Sequence, residues 1–255
     1  MSDADFPVTC DGFLGGRLRL KQPQHGHRAG HDAVLLAAST PARPGDRVVD
    51  LGAGIGAAGL AVASRCAGLD LVLVERDERL AVIAQTNLAA NNIKGRAVTL
   101  DIAQGAKAFA DVELPPDSAD RVLMNPPFNA VARHQPSPDR LRRSAHQGDD
   151  EVLAVWVQVA RRILKSGGTL TLIWRAEAIA SVLSAVEQGF GAVAVLPVYP
   201  RPEAAAIRIL VRATKGSRSA LTLLPGLALN AEGGCADQAM QAVLDGTAVL
   251  PLATL

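Results

Sequence analysis

With 255 residues the chain has room for one large α/β domain or two small ones, and its 49% apolar content is that of a globular protein with a good core. Only 3% of residues are aromatic, so that core must be built from Ala, Val, Leu and Ile, and a net charge of +1 selects no charged partner overall. The three cysteines (Cys10, Cys66 and Cys235) are too far apart to suggest a disulfide framework or a metal site. Met1 is followed by acidic and polar residues rather than a secretory leader, and no apolar run approaches a membrane span. A cytosolic protein is the expectation.

In chain order, "RVVDLG" (47–52) predicts a buried strand running into a glycine turn, and the Ala-rich "AAGLAVASRCA" (57–67) predicts a helix. "LDLVLVE" (69–75) reads as a strand, and "DERLAVIAQTNLAANN" (77–92) as a helix opened by Asp77. Three further strands are predicted at "AVTLD" (97–101), "RVLMN" (121–125) and "TLTLIW" (169–174). Before the last of these, "DEVLAVWVQVARRILKSGG" predicts a helix stopped by Gly167 and Gly168. A final helix in "AEAIASVLSAVEQGF" precedes "GAVAVLPVY" (191–199) and "AAIRILVRA" (205–213), which have no helix between them and predict an antiparallel pair. The sum is seven strands, mostly parallel, with helices on both faces of a doubly wound sheet. The chain shows no repeat and no interdomain linker. Segment 129–147, "NAVARHQPSPDRLRRSAHQ", predicts a long loop.

Charge is unevenly placed. Residues 17–31 carry Arg17, Arg19, Lys21 and Arg28 without an acid, and 201–218 carry five bases against Glu203. Both stretches are candidate basic patches, or simply solvated charges. The histidines of "HGHRAGH" (25–31) lack the Cys or carboxylate partners that would complete a metal site, so they read as a polar loop.

Candidate chemistry sits where strands end, the place where ligands bind in open α/β sheets. "DLGAGIGAAG" takes a strand through Asp50 into Gly52, Ala53, Gly54 and Gly56, whose bare backbone lets a ligand approach. Taken alone it is weak, and it also fits a dinucleotide fingerprint. Glu75 ends the next strand, where a carboxylate can take both ribose hydroxyls. Asp101 follows on the third strand and can accept from an adenine amino group. The fourth strand runs into "NPPF". Neither Pro126 nor Pro127 can donate to a ladder, so the strand stops and a rigid turn presents Asn125 and Phe128. The Asn125 side-chain carbonyl and the Pro126 backbone carbonyl can accept both hydrogens of a planar amino group, and Phe128 can stack on the ring that carries it.

These four elements, in this order, resemble the S-adenosylmethionine-dependent amino-group methyltransferases with their [N/D/S]-P-P-[Y/F/W] motif. The chain is similar to the "methyltransferase small" family and, within it, to the bacterial tRNA1(Val) adenine-N6 methyltransferases. The likeness extends over roughly residues 12–230. It includes the lead-in "GGRLRLKQPQHGHRAGHDAVLLAA" and the late "YPRPEAAAIRILVRATKGSRSALTLLPGLAL".

The resemblance implies a single methyltransferase domain over 1–255, made of a cofactor-covering segment over 1–45, a Rossmann-like core over 46–213 and a tail over 214–255. It implies S-adenosylmethionine as cofactor, bound by Asp50, Gly52, Ala53, Gly54, Glu75, Arg76, Asp101, Ile102 and Asn125. Asp32 is expected either to meet the methionine ammonium or to cap the helix it opens. Asn125, Pro126, Pro127 and Phe128 carry the catalytic expectation, with RNA, and tRNA in particular, as partner. Arg133, Arg142 and Arg143 in the loop after the motif are the candidate phosphate contacts. Many tRNA-modifying members have Tyr where this chain has Phe128, which keeps stacking and loses a hydroxyl. Ribosomal guanine-N2 methylation, release-factor glutamine methylation and a non-catalytic RNA-binding relative are the competing readings. The sheet begins near residue 46, leaving no room for the helical substrate domain usual in the release-factor enzymes.

Overall fold

A computed structural model describes residues 6–25, 28–127, 139–231 and 234–255, with the side chains of 139–147 outside the description. Seven strands form the predicted sheet: β3 (Arg47–Leu51), β4 (Asp70–Glu75), β5 (Gly95–Thr99), β6 (Ala119–Met124), β7 (Leu164–Arg175), β8 (Phe190–Tyr199) and β9 (Arg208–Lys215). Two short strands, β10 (Thr222–Leu223) and β11 (Leu227–Ala228), add to β8, so the sheet has nine strands rather than seven. Its order is β10-β8-β9-β7-β6-β3-β4-β5. From β7 to β5 every pairing is parallel, and β9 runs antiparallel between β7 and β8.

Strands buried on both faces read as continuous apolar runs, which is why the sequence pattern finds them. Their residues alternate between two cores. Val48, Leu71 and Leu73 join the core under α1 (His31–Ser39), α2 (Ala57–Arg65) and α3 (Glu78–Ala90). Val49, Val72 and Val74 join the one under α4 (Ala106–Asp111), α5 (Asp139–Ile163) and α6 (Ile179–Glu187). A last helix, α7 (Gln238–Leu244), packs Met240 and Val243 on the α1 side. As expected, Asp77 caps α3, accepting from the Arg79 N–H.

Three local expectations need correction, and the lead-in holds structure that the pattern does not show. α5 starts at Asp139, so 139–147 is helical and not loop; the internal Gly148 and the dense charge hide the helical period there. α5 ends at Ile163, and Gly167 and Gly168 lie within β7, beside the register shift on β6. β5 begins at Gly95, where a side chain would approach the Leu71 carbonyl at 2.8 Å, and stops at Thr99, two residues short of Asp101. The lead-in contains an antiparallel hairpin, β1 (Val8–Phe13) and β2 (Leu18–Pro23), outside the main sheet. Among the described residues, no helix is long and apolar enough to cross a membrane.

Candidate active site

Register places the predicted residues side by side. Leu51 pairs with Val74 on β4 and with Met124 on β6, and Glu75 pairs with Thr99 on β5. The next rung therefore carries Asn125, Gly52, Glu75 and Thr99 across four adjacent strand ends. With parallel strands about 4.8 Å apart, Asn125 and Glu75 flank Gly52 at a separation of about 10 Å.

The glycine loop is tied down from several sides. Gly52 and Ala53 both donate backbone N–H groups to the Val74 carbonyl, at 2.9 Å each. Glu75 Oε2 accepts from the Gly54 N–H at 2.8 Å, and its Oε1 from the Asp77 N–H at 2.9 Å. A carboxylate has about four acceptor positions, so each oxygen keeps one for a hydroxyl. The three glycines differ in what surrounds them. A Cβ on Gly52 would collide with the indole of Trp156, reached by α5 folding over the loop. A Cβ on Gly56 would meet Leu60 at 2.6 Å and Leu73 at 2.8 Å. A Cβ on Gly54 would meet nothing within 4 Å, so this is where the loop is open to a ligand.

Asp50 lies beneath the loop, 2% exposed. Its Oδ2 accepts from the Gly59 N–H at 2.9 Å and joins β3 to the first turn of α2. Burial pushes its carboxyl up to about 7; the Gly59 bond opposes this, and the nearby Glu75 charge adds to it. Asp50 thus supports the loop from inside. Asp101 is exposed, with Oδ1 accepting from the Ala103 N–H at 2.8 Å in a turn, and Ile102 beside it is buried in the α4–α5 core. Arg76 is exposed.

Asp32 does not cap α1. Gly30 stands at the cap without a side-chain bond, and Asp32 Oδ2 accepts from Arg208 Nε at 3.0 Å on β9. Arg208 lies opposite Arg175 of β7, whose guanidinium pairs with buried Asp149 at 2.9 Å. Asn125 is half-buried, Pro126 buried and Pro127 exposed. Phe128 and Arg133 lie outside the described residues, as do the side chains of Arg142 and Arg143.

Sequence reasoning misses three participants. Trp156 covers Gly52. Asn87, fully buried on α3, donates to the Ile55 carbonyl of the loop at 3.0 Å and also bonds the β2 backbone. Arg208 engages Asp32. Only Asn87 left a signal: an amide at a position where the helix pattern calls for an apolar residue.

A model of the methyltransferase small domain matches residues 30–198. A Bacteroides thetaiotaomicron tRNA1(Val) (adenine(37)-N6)-methyltransferase is 28% identical over 147 residues, 57% of this chain and 59% of that protein. The crystal structure of a predicted O-methyltransferase from Agrobacterium tumefaciens superposes with a TM-score of 0.72 at 30% identity, covering 86% of this chain and 98% of the other. A T. thermophilus 16S rRNA N2 methyltransferase, solved with AdoMet and guanosine, shares the fold at a TM-score of 0.56 and 21% identity, covering 82% of this chain and 50% of that one. The chain thus spans a little over half the length of the tRNA-modifying relative. With the family model matched over more than half of its residues, on a sheet whose strand ends carry the expected motifs, this chain belongs to the methyltransferase small domain family.

Proposed function

We propose that the protein methylates an exocyclic amino group of RNA with S-adenosylmethionine, and that the target is adenine N6 in tRNA. The observation that carries this reading is the shared rung: the Asn125 position stands one strand from Gly52 and two from Glu75. The residues fit the cofactor. The open side of Gly54 makes a cradle that any side chain would fill. Glu75 retains acceptors for both ribose hydroxyls, and the exposed Asp101 carboxylate, two residues past β5, is free to meet an adenine edge. When bound, S-adenosylmethionine supplies an electrophilic methyl group.

The chain's own contribution is alignment. The Asn125 and Pro126 carbonyls accept the two hydrogens of the target amino group and turn its lone pair out of the ring plane. As the nitrogen gains positive character, its hydrogens become better donors and both carbonyls hold them more strongly. Only that increase lowers the barrier. No general base is required, because the amino proton can leave after transfer. RNA as the substrate class is supported by the activities for which the tRNA- and rRNA-modifying relatives are named.

The test uses total tRNA and rRNA, each incubated with the protein and methyl-labelled cofactor, then digested and separated by nucleoside. Label in N6-methyladenosine from tRNA is expected. Label in N2-methylguanosine from rRNA would replace the base and RNA named here, and no label in either would overturn the RNA reading.

A further inference from the structure

The N-terminal hairpin sorts its charges by face. In an antiparallel pair, residues directly opposite each other share a face. Thr9, Asp11 and Phe13 lie across from Gln22, Leu20 and Leu18, and these three β2 side chains are buried. The hairpin's acid is therefore on the inner face. There Asp11 Oδ2 accepts from Thr9 Oγ1 at 2.6 Å, Arg28 at 2.8 Å and Gln22 at 2.9 Å, and these donors, Thr9 first, hold its carboxyl below the usual range. The outer face carries Arg19 across from Gly12 and Lys21 across from Cys10, with Arg17 at the turn. All three cations are exposed, and none has an acidic partner among the described residues. Four cations of the main sheet are neutralised instead, Arg47 by Asp70, Arg96 by Glu113, Lys165 by Asp120 and Lys215 by Asp117, while the exposed Arg76, Arg201 and Arg218 form no ion pair among the described residues.

This face is also held in place. The outer edge of β2 would be an open ladder, but two asparagines one turn apart, Asn87 on α3 and Asn91 at its C-cap, complete it. The Lys21 N–H donates to Asn87 Oδ1 at 2.7 Å, and Asn87 Nδ2 donates back to the Lys21 carbonyl at 3.0 Å. The Arg19 N–H donates to Asn91 Oδ1 at 2.9 Å, and Asn91 Nδ2 donates to the Arg19 carbonyl at 2.8 Å. With its edge satisfied, β2 has no use as a template for strand addition. Asn87 Nδ2 reaches the Ile55 carbonyl as well, so the backbone bearing Lys21 is one amide away from the cofactor loop. Arg19 and Lys21 stand about 7 Å apart by strand geometry, across from a residue with no side chain and one with a small one, so an extended polyanion can lie along them.

We infer that the outer face of the hairpin, Arg17, Arg19 and Lys21, binds the phosphodiester backbone of the RNA substrate, and that Asn87 and Asn91 fix its distance from the cofactor loop. This rests on the RNA reading above. Charge complementarity names the partner: Arg19 and Lys21 in a line, with Arg17 at the turn donating to the Gly246 carbonyl at 3.4 Å, suit phosphates, and among the described residues of the hairpin the outer face carries no acid, Asp245 standing beside Gly15 at the turn.

The test is binding of fluorescently labelled bulk bacterial tRNA to the full chain at several salt concentrations, with calorimetry of S-adenosylhomocysteine alongside. Combining Arg19→Gln with Lys21→Gln should flatten the plot of log affinity against log salt by about 0.7–0.9 per lost contact, and leave S-adenosylhomocysteine affinity within twofold. The exchanged pair Arg19→Lys and Lys21→Arg should keep the wild-type slope. A wild-type slope in the glutamine variant overturns the hairpin surface while the RNA reading stands. So does an exchanged pair as impaired as the glutamine variant, since the damage would then lie in the backbone. If the wild-type protein binds neither tRNA nor rRNA in a salt-dependent way, the RNA reading falls, and the hairpin inference with it.

Discussion

The same methyl group added at two glycines of one loop should give opposite phenotypes. Gly54→Ala places a Cβ where no atom lies within 4 Å. Its cost to folding is that of an L residue at φ 56°, about 1–2 kcal/mol. The methyl fills the open side of the loop, and losing close backbone approach should weaken S-adenosylhomocysteine at least tenfold, about 1.4 kcal/mol or more. Gly52→Ala has a similar backbone cost at φ 71°, but its Cβ is driven into the Trp156 ring, with Cζ3 at 2.8 Å. The ring and its helix must shift, adding about 1–3 kcal/mol of overpacking. Gly52→Ala should therefore lose about 2–5 kcal/mol of stability, and combining it with Trp156→Leu should recover part of that loss. Urea unfolding measures the stability and calorimetry the affinity. Full S-adenosylhomocysteine affinity in Gly54→Ala would refute the assignment of the open side to the cofactor. A wild-type unfolding midpoint in Gly52→Ala would show that the Trp156 contact carries no packing constraint.

Glu75→Gln should weaken S-adenosylhomocysteine by about 1.5–3 kcal/mol in calorimetry, because an amide cannot accept from Gly54, Asp77 and two hydroxyls together. Asn125→Ala should lower the single-turnover methylation rate about 10²–10³-fold with saturating cofactor, while S-adenosylhomocysteine affinity changes far less. Asp50 titrates near 7 when folded, above its ordinary 3.8, so the folded state holds the extra proton between those values. Its contribution to stability is then present below about pH 4 and lost as pH rises toward 7, by roughly 4 kcal/mol at most. Asp50→Asn removes that titration, so the stability gap in favour of the variant, read by urea unfolding, should widen from pH 4 to pH 7 and then level off.

The seven long strands were legible because a sheet covered on both faces writes itself as apolar runs. The short strands were not: β10 and β11 are two residues each, and "LRLKQP" holds no β-branched or aromatic residue, so nothing marks it as the partner of "VTCDGF" in a hairpin. Three motif residues could be placed because each sits at or just past a strand end, and parallel register then sets Asn125, Gly52 and Glu75 on one rung. Asp101 was read as ending β5 because "AVTLD" continues the apolar alternation, whereas pairing with β4 stops at Thr99. The Asn87 clasp shows in the sequence only as an amide on the apolar face of its helix, and the Trp156 contact and the Asp32–Arg208 pair have no pattern to betray them. Each joins residues far apart in sequence, and the Asp32–Arg208 pair spans 176 positions.

The anchors of the glycine loop come from different elements, and this limits how strongly each can influence the cofactor. Asp50 holds the start of α2 from below, Glu75 holds Gly54 from β4, Trp156 covers Gly52 from α5, and Asn87 holds Ile55 from α3. A loop fixed this way needs little reorganisation on binding, so binding energy goes to orienting the sulfonium rather than to ordering backbone. The hairpin reaches the loop through the Asn87–Ile55 hydrogen bond and through Leu18 and Leu20, which share a buried core with Ile55; one such hydrogen bond is worth about 0.5–1.5 kcal/mol net. Through that hydrogen bond alone, coupling between a polyanion on the hairpin and the cofactor comes to about two- to tenfold in affinity. On the proposed reading the hairpin sets where RNA lies relative to the methyl donor, and the hydrogen bond by itself gives it modest leverage over cofactor binding. That division suits a displacement in which alignment, not chemistry at a side chain, does most of the work.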